Sequence, residues 1–137
     1  MTRAGPRKRV DAFHWQGRLR TAADFRAAAH EALLLAQPGQ SGTPIASQVI
    51  LAAIAYADAL TAKGAQVINQ QDHAAAARLL REVLGNRLTE AQERRLRRLL
   101  GRKDEMQYGV RAVTLDEARP MLEELDRFAL WAEDLLR

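Results

Sequence analysis

The chain contains no cysteine, so it cannot form a disulfide, a thiolate zinc site or a cysteine nucleophile. Aromatic residues make up only 5% of the sequence, and runs of β-branched residues are missing. Alanine and leucine supply most of the apolar share, which is typical of helices rather than sheets. A length of 137 residues is enough for one hydrophobic core and too short for two. The composition therefore predicts a single all-α domain.

We interpret every apolar run of the sequence as too short to approach the roughly 20 residues that span a bilayer. Its basic start leads into no apolar signal-peptide core. We therefore expect a cytoplasmic protein with no membrane partner. The net charge of +4 would suit an anionic partner but does not require one, because arginine can simply replace lysine in such a composition.

Breaks in the apolar pattern divide the chain into a basic start and five helical segments. Residues 1–20 show no long helical period, and we interpret them as a basic, partly flexible segment before a helical bundle over 21–137. A first helix is predicted from Thr21, ending at the Pro- and Gly-rich stretch 38–44. The second, over about 45–66, is apolar on nearly every side and should lie at the centre of a four- to five-helix bundle.

The remaining helices are predicted from capping residues at their starts, which are Asp72, Thr89 and Thr114. Thr114 is followed three residues later by Glu117, the pattern of a capping box. Pro120 lies in the same segment and predicts either a kink or a later helix start.

The densest positive feature lies on the fourth helix. Placed at steps of about 100°, its leucines fall on one side and Arg94, Arg97 and Arg98 on the other. These three arginines are a candidate nucleic-acid patch, because phosphate groups are bound by such cations. The alternative is a solvated face on which they pair with glutamates of the same helix.

Asp58 is the one acid among the small and apolar residues of the second helix. An ionised carboxylate in such surroundings needs a cation. Arg95 and Arg102 lie at the edge of the apolar stripe of the fourth helix, and Lys103 falls inside it. We expect Asp58 to pair with Arg102 or Lys103, in the same chain or across a dimer. Such a pair could serve structure alone or hold a ligand.

Signals for a metal or a cofactor are missing. The histidines His14, His30 and His73 show no metal-binding spacing. The sequence contains no Gly-rich phosphate loop, nucleophile elbow or dinucleotide fingerprint. We therefore predict no metal site and no cofactor.

The order of these features resembles that of the HEPN superfamily over about residues 21–137. The resemblance rests on Ala57-Asp58-Ala59-Leu60 in the central helix, Asp72-His73 at a helix start, the segment Arg102–Tyr108, and Thr114-x-x-Glu117-Ala118 at the last helix. It implies a bundle of four or five helices that is usually dimeric. Active members are metal-independent ribonucleases of toxin–antitoxin, phage-defence and RNA-processing systems.

The signature of those ribonucleases is an arginine followed after four to six residues by a histidine. Arg102 stands where the arginine would be, but Gln107, Tyr108 and Gly109 occupy the three places open to the histidine. Glutamine cannot shuttle a proton, and a tyrosine of ordinary pKa is a poor base at neutral pH. Ribonuclease activity by the usual mechanism is therefore in doubt, and Arg102 and Tyr108 are the catalytic candidates that remain.

Three hypotheses follow from the sequence. The first is a HEPN-like homodimer whose cleft, lined by Asp58, Arg102, Lys103 and Tyr108 with Arg95 nearby, binds a nucleotide, RNA or protein without cutting RNA. The second is a divergent ribonuclease or toxin, in which Arg102 steadies the phosphate and Tyr108 or a histidine from elsewhere moves the proton. The third is an antitoxin or scaffold that acts through its helical surface alone. A cognate antitoxin or a nucleotidyltransferase would be the partner in a toxin–antitoxin pair.

Overall fold

The computed structural model describes residues 6–109 and 112–137, apart from the side chains of Gln107 and Tyr108. In chain order these residues form β1 (Arg7–Arg9), α1 (His14–Leu35), α2 (Thr43–Ala65), β2 (Val67–Asn69), α3 (Ala76–Leu84), α4 (Glu90–Tyr108) and α5 (Leu115–Leu135). Short 3₁₀ turns over His73–Ala75 and Gly85–Arg87 flank α3. The prediction of an all-α, four- to five-helix bundle is confirmed. An antiparallel ribbon of β1 and β2, with Lys8 opposite Ile68, was not predicted.

Helix α2 lies at the centre and packs against the other four helices, as its all-round apolar sequence predicts. By length and composition it could cross a membrane, with a mean hydropathy of 1.6 over its most apolar window. The expectation that no apolar segment is long enough is therefore wrong for α2. However, 78% of that window is buried inside the bundle, so packing against the neighbouring helices accounts for its apolar character.

The predicted starts of α4 and α5 are confirmed by side-chain caps, whereas Asp72 caps the 3₁₀ turn before α3, and α3 itself begins at Ala76. The Asp72 carboxylate accepts from the backbone N–H of Ala74, and the Thr89 hydroxyl accepts from that of Gln92. Thr114 and Glu117 form the full capping box at the start of α5. The helix begins at Leu115 and continues through Pro120, so the later start that we considered does not occur.

The chain joins the bundle earlier than predicted. Helix α1 begins at His14 rather than Thr21, so the predicted boundary between residues 20 and 21 falls inside it. Tertiary contacts hold these first turns, whose sequence shows no clear apolar stripe. The Lys63 ammonium lies 4.6 Å from the centre of the Trp15 ring, and Arg18 forms an ion pair with α2. Strand β1 is likewise ordered by its pairing with β2.

Helix α1 is attached to α5 through a polar network. Arg26 Nε lies 2.7 Å from Asp126 Oδ1, and His30 Nε2 lies 2.8 Å from the same oxygen. The Tyr56 hydroxyl of α2 donates to Glu133 Oε1 at 3.4 Å. Burial, followed by the Glu133 charge, raises the pKa of Tyr56 to about 12, so this hydroxyl stays protonated. The network fixes α1, which buries only two residues completely among those described.

Two glycines allow close approach between elements. A Cβ at Gly42 would clash with the Thr114 carbonyl oxygen, where the chain before α2 meets the start of α5. A Cβ at Gly64 would lie 2.6 Å from Val83 Cγ1, where α2 meets α3. Both contacts leave no space for a side chain.

Candidate functional site

The arginines of α4 are engaged in ion pairs. Their nearest carboxylate contacts are Arg94 with Glu90 (3.8 Å), Arg95 with Glu124 (2.8 Å), Arg97 with Glu93 (3.1 Å), Arg98 with Glu124 (3.2 Å) and Arg102 with Glu105 (2.8 Å). Glu93 is also bound by Arg81 at 2.6 Å. Arg94, Arg97 and Arg98 are exposed, as predicted for the nucleic-acid patch. The pairs of Arg94 and Arg97 match the alternative of a face salt-bridged within one helix, whereas Arg98 pairs with Glu124 of α5.

Lys103 differs from these arginines. In the described ranges, 6–109 and 112–137, it makes no ion pair or hydrogen bond. Its side chain is half-buried at one wall of a cleft between α4 and the start of the α3 segment. We call this the α3–α4 cleft; its volume is about 480 Å³, and it is lined by Gln71, Asp72, His73, Ala74, Ala77, Arg97, Leu100, Gly101, Lys103 and Asp104.

His73 contributes a second unpartnered group to the α3–α4 cleft. Among the described residues its ring has no hydrogen bond or ion pair, and the side chain is half-buried. Burial and the nearby Lys103 ammonium lower the pKa of His73, and Asp72 opposes them. The ring is therefore neutral at neutral pH, with one nitrogen able to accept a proton.

Arg102 lies on the other side of α4. Its guanidinium is 2.8 Å from Glu105 and 3.5 Å from Glu117 of α5. It lines a groove between α4 and α5 that also contains Asp116 and Glu124. These carboxylates compensate its charge, so this acid-rich groove is a poor site for a phosphate.

Asp58 does find a cation, but the cation is Arg18. The distance from Arg18 Nη2 to Asp58 Oδ2 is 3.0 Å. The expected pairing with Arg102 or Lys103 is wrong within the chain, because Arg102 is held by Glu105 and Glu117, and Lys103 faces the α3–α4 cleft. A pairing across a dimer stays a prediction. Asp58 remains only 6% exposed, and burial raises its pKa to about 6 although Arg18 lowers it. Burial thus outweighs the attraction between the two charges.

The four predicted binding residues whose side chains are described therefore do not line one common cleft. Asp58 lies against α1, Arg102 faces α5, and Lys103 faces the α3 segment. Arg95, the fifth predicted binding residue, pairs with Glu124 of α5. The side chain of Tyr108 lies outside the described residues.

Sequence reasoning missed Arg18 as the partner of Asp58 and His73 as part of a cleft. Arg18 was assigned to a segment without helical period, so nothing in the pattern placed it beside α2. His73 carried a weak signal, because it follows a capping aspartate and must therefore lie at a helix start. Its proximity to Lys103 depends on how α3 and α4 pack.

The large apolar residues of α5 differ in exposure. Phe128 is completely buried and packs against Trp131, with ring centres 5.4 Å apart. Leu34 of α1 and Leu130 of α5 are instead exposed, by 83% and 62%. Leu130 lies on the same helix face as Asp126 and Glu133, which bind α1.

Comparison with known proteins adds no assignment. No protein-family model matches the chain, and no curated protein gives a significant match.

Proposed function

We propose that the chain is a HEPN-like helical module that binds RNA or a nucleotide in the α3–α4 cleft without cutting RNA by the usual mechanism. One observation carries this proposal: Lys103 has no carboxylate partner in the described part of the chain, whereas each arginine of α4 has one. A half-buried cation without a partner is poised to bind an anion, because it has already lost part of its hydration.

The other groups of the cleft suit a ribonucleotide better than a simple anion. Arg97 can bring a second positive charge near a bound phosphate. Its partner Glu93 is also bound by Arg81, so one carboxylate is shared between two arginines. Asp104 and Gln71 offer acceptors and donors for ribose hydroxyls and base edges. The cleft volume lies within the range of about 300–1,000 Å³ that is common for small-ligand sites.

The resemblance to HEPN proteins supports the same proposal from the sequence. The motif-like segment from Arg102 to Tyr108 ends α4, and Lys103 and Asp104 of that segment line the cleft. The missing motif histidine favours binding over cleavage. We further propose a cytoplasmic homodimer, with the exposed Leu34 and Leu130 available for contact, and an antitoxin or nucleotidyltransferase as a candidate partner.

A binding experiment tests the proposal. Labelled single-stranded RNA is titrated with wild type, Lys103→Met and Arg94→Met at several salt concentrations. Lys103→Met should weaken binding by about tenfold or more and flatten the salt dependence by about one phosphate contact. Arg94→Met is the matched control, because Arg94 is an exposed arginine of the same helix with only a distant ion pair. Equal effects of the two substitutions would refute the assignment to the α3–α4 cleft.

A divergent ribonuclease or toxin is the second candidate function. The observation in its favour is His73, a neutral and unpartnered imidazole in the same cleft as Lys103. The RNA recovered from the binding experiment therefore serves as the test. Cleavage that persists in purified wild type and disappears in both His73→Gln and Lys103→Met would replace the binding proposal with this one.

A further inference from the structure

We infer that the α3–α4 cleft takes a terminal phosphate monoester, as on a nucleotide or a phosphorylated RNA end, and that His73 takes up a proton when it binds. This inference rests on the proposed function, because it assigns the chemical class and the pH dependence of the ligand of that cleft.

Without a ligand, the charged groups of the cleft favour the neutral form of His73. Lys103 and Arg97 face it from α4, together with Asp104, and Asp72 faces it from the start of the α3 segment. Asp72 already accepts from the N–H of Ala74, which occupies one of its oxygens. His73 is neutral in this state, because an imidazolium beside the Lys103 ammonium would add a second half-buried positive charge.

A bound phosphate dianion favours the protonated form of His73 instead. Placed between Lys103 and His73, its first charge is compensated by the ammonium and its second favours the imidazolium. A monoester carries close to two charges at neutral pH, since its second pKa is about 6. An internal phosphodiester carries one charge, which Lys103 compensates alone. Only the monoester therefore provides a reason for His73 to gain a proton and donate a second N–H.

The absence of a partner for the His73 ring in the described ranges also favours proton uptake on binding. Because His73 has no hydrogen-bond partner in the described ranges, no existing contact must break when a phosphate oxygen approaches. A structural histidine would instead be held by a carboxylate or a carbonyl, as His30 is by Asp126. The sign of the pH dependence follows: binding that takes up a proton becomes tighter as the pH falls toward 7, until the phosphate itself is protonated near its pKa of about 6.

Calorimetry provides the test. AMP and the dinucleoside phosphodiester ApA are titrated separately into the wild-type chain, His73→Gln and His30→Gln, in buffers of different ionisation enthalpy at about pH 7 and 8. Wild type should bind AMP at least about tenfold more tightly than ApA and take up roughly one proton. His73→Gln should abolish the proton uptake and most of the preference for AMP. His30→Gln, which replaces an exposed histidine outside the cleft, should change neither.

The outcomes separate this inference from the proposed function. Equal affinity for AMP and ApA, or proton uptake that survives in His73→Gln, overturns the inference. Binding of RNA that depends on Lys103 without any binding of AMP also overturns it and leaves the proposed function standing. No binding of AMP, ApA or RNA refutes both. A 5′-phosphorylated oligonucleotide that competes with AMP identifies an RNA end as a ligand, whereas failure to compete restricts the site to free nucleotides. Circular dichroism of each variant confirms that it is folded.

Discussion

Replacing Asp58 by asparagine should change how the stability of the protein depends on pH. The asparagine side chain has the size of a protonated aspartate but cannot ionise. The wild-type carboxyl group is buried, and burial raises its pKa to about 6 from the ordinary 3.8. At roughly 1.4 kcal/mol for each pKa unit, ionisation of Asp58 in the folded state costs about 3 kcal/mol more than in the unfolded chain.

The sign follows from proton binding. Between about pH 4 and pH 6 the folded state holds a proton on Asp58 that the unfolded state has released, so stability falls as the pH rises. The free energy of unfolding of Asp58→Asn minus that of wild type should therefore increase by about 3 kcal/mol from about pH 4 to pH 8. The structure explains why Arg18 does not prevent this. Only one Asp58 oxygen is bound by the guanidinium, and Arg18 Nε is buried without a partner within the described chain.

Urea denaturation followed by circular dichroism, repeated across this pH range, measures the difference. Asp24→Asn serves as the control, because Asp24 is exposed on the same helix as Arg18 and makes no contact that would couple it to folding in the described chain. A difference between Asp58→Asn and wild type that stays constant with pH would show that the attraction of Arg18 equals the cost of burial, and one that decreases would show that it exceeds that cost. Either result would contradict the raised pKa of Asp58.

Three further predictions concern packing and assembly. Gly42→Ala should destabilise the protein by about 2 kcal/mol or more, because its Cβ would meet the Thr114 carbonyl. Gly17 lies in a helix with open space around it, so Gly17→Ala should stabilise the protein by up to about 1 kcal/mol. Thermal denaturation compares the two variants. Gly64→Ala should destabilise by about 1–2 kcal/mol, and combining it with Val83→Ala should recover part of that loss in a double-mutant cycle; purely additive losses would argue against the contact. Light scattering at micromolar concentration should return a dimer mass, and a monomer mass would remove the predicted homodimer.

The helices could be predicted from the sequence because their signals are local. Thr89 and Thr114 can be recognised as capping residues from the few residues that follow them, and the leucines of α4 repeat on one face. The start of α1 could not be predicted in the same way. Its first turns are held by Arg18 and Trp15 through contacts with residues about 40 or more positions later. Such contacts depend on packing, which local periodicity does not encode.

The candidate site was predictable only in part. Lys103, which the pattern places within an apolar stripe, is half-buried at the α3–α4 cleft, and Asp58 is a buried acid with a cation partner, as predicted. Asp58 does not pair with Lys103 or Arg102 within the chain, because the choice of partner depends on which faces of α2 and α4 meet. Neighbouring residues can also point to opposite sides of a helix, as Arg102 and Lys103 do. His73 joined the site through the packing of α3 against α4.

The most direct test of the α3–α4 cleft as the binding site is a map of backbone amide chemical shifts of the isotopically labelled protein as AMP or RNA is added. We expect the largest changes to fall on residues 71–77 and 97–104, and to need at least about tenfold more ligand in Lys103→Met. Changes centred instead on Arg18 and Asp58, or on the groove that Arg102 lines with α5, would contradict the assignment to the α3–α4 cleft.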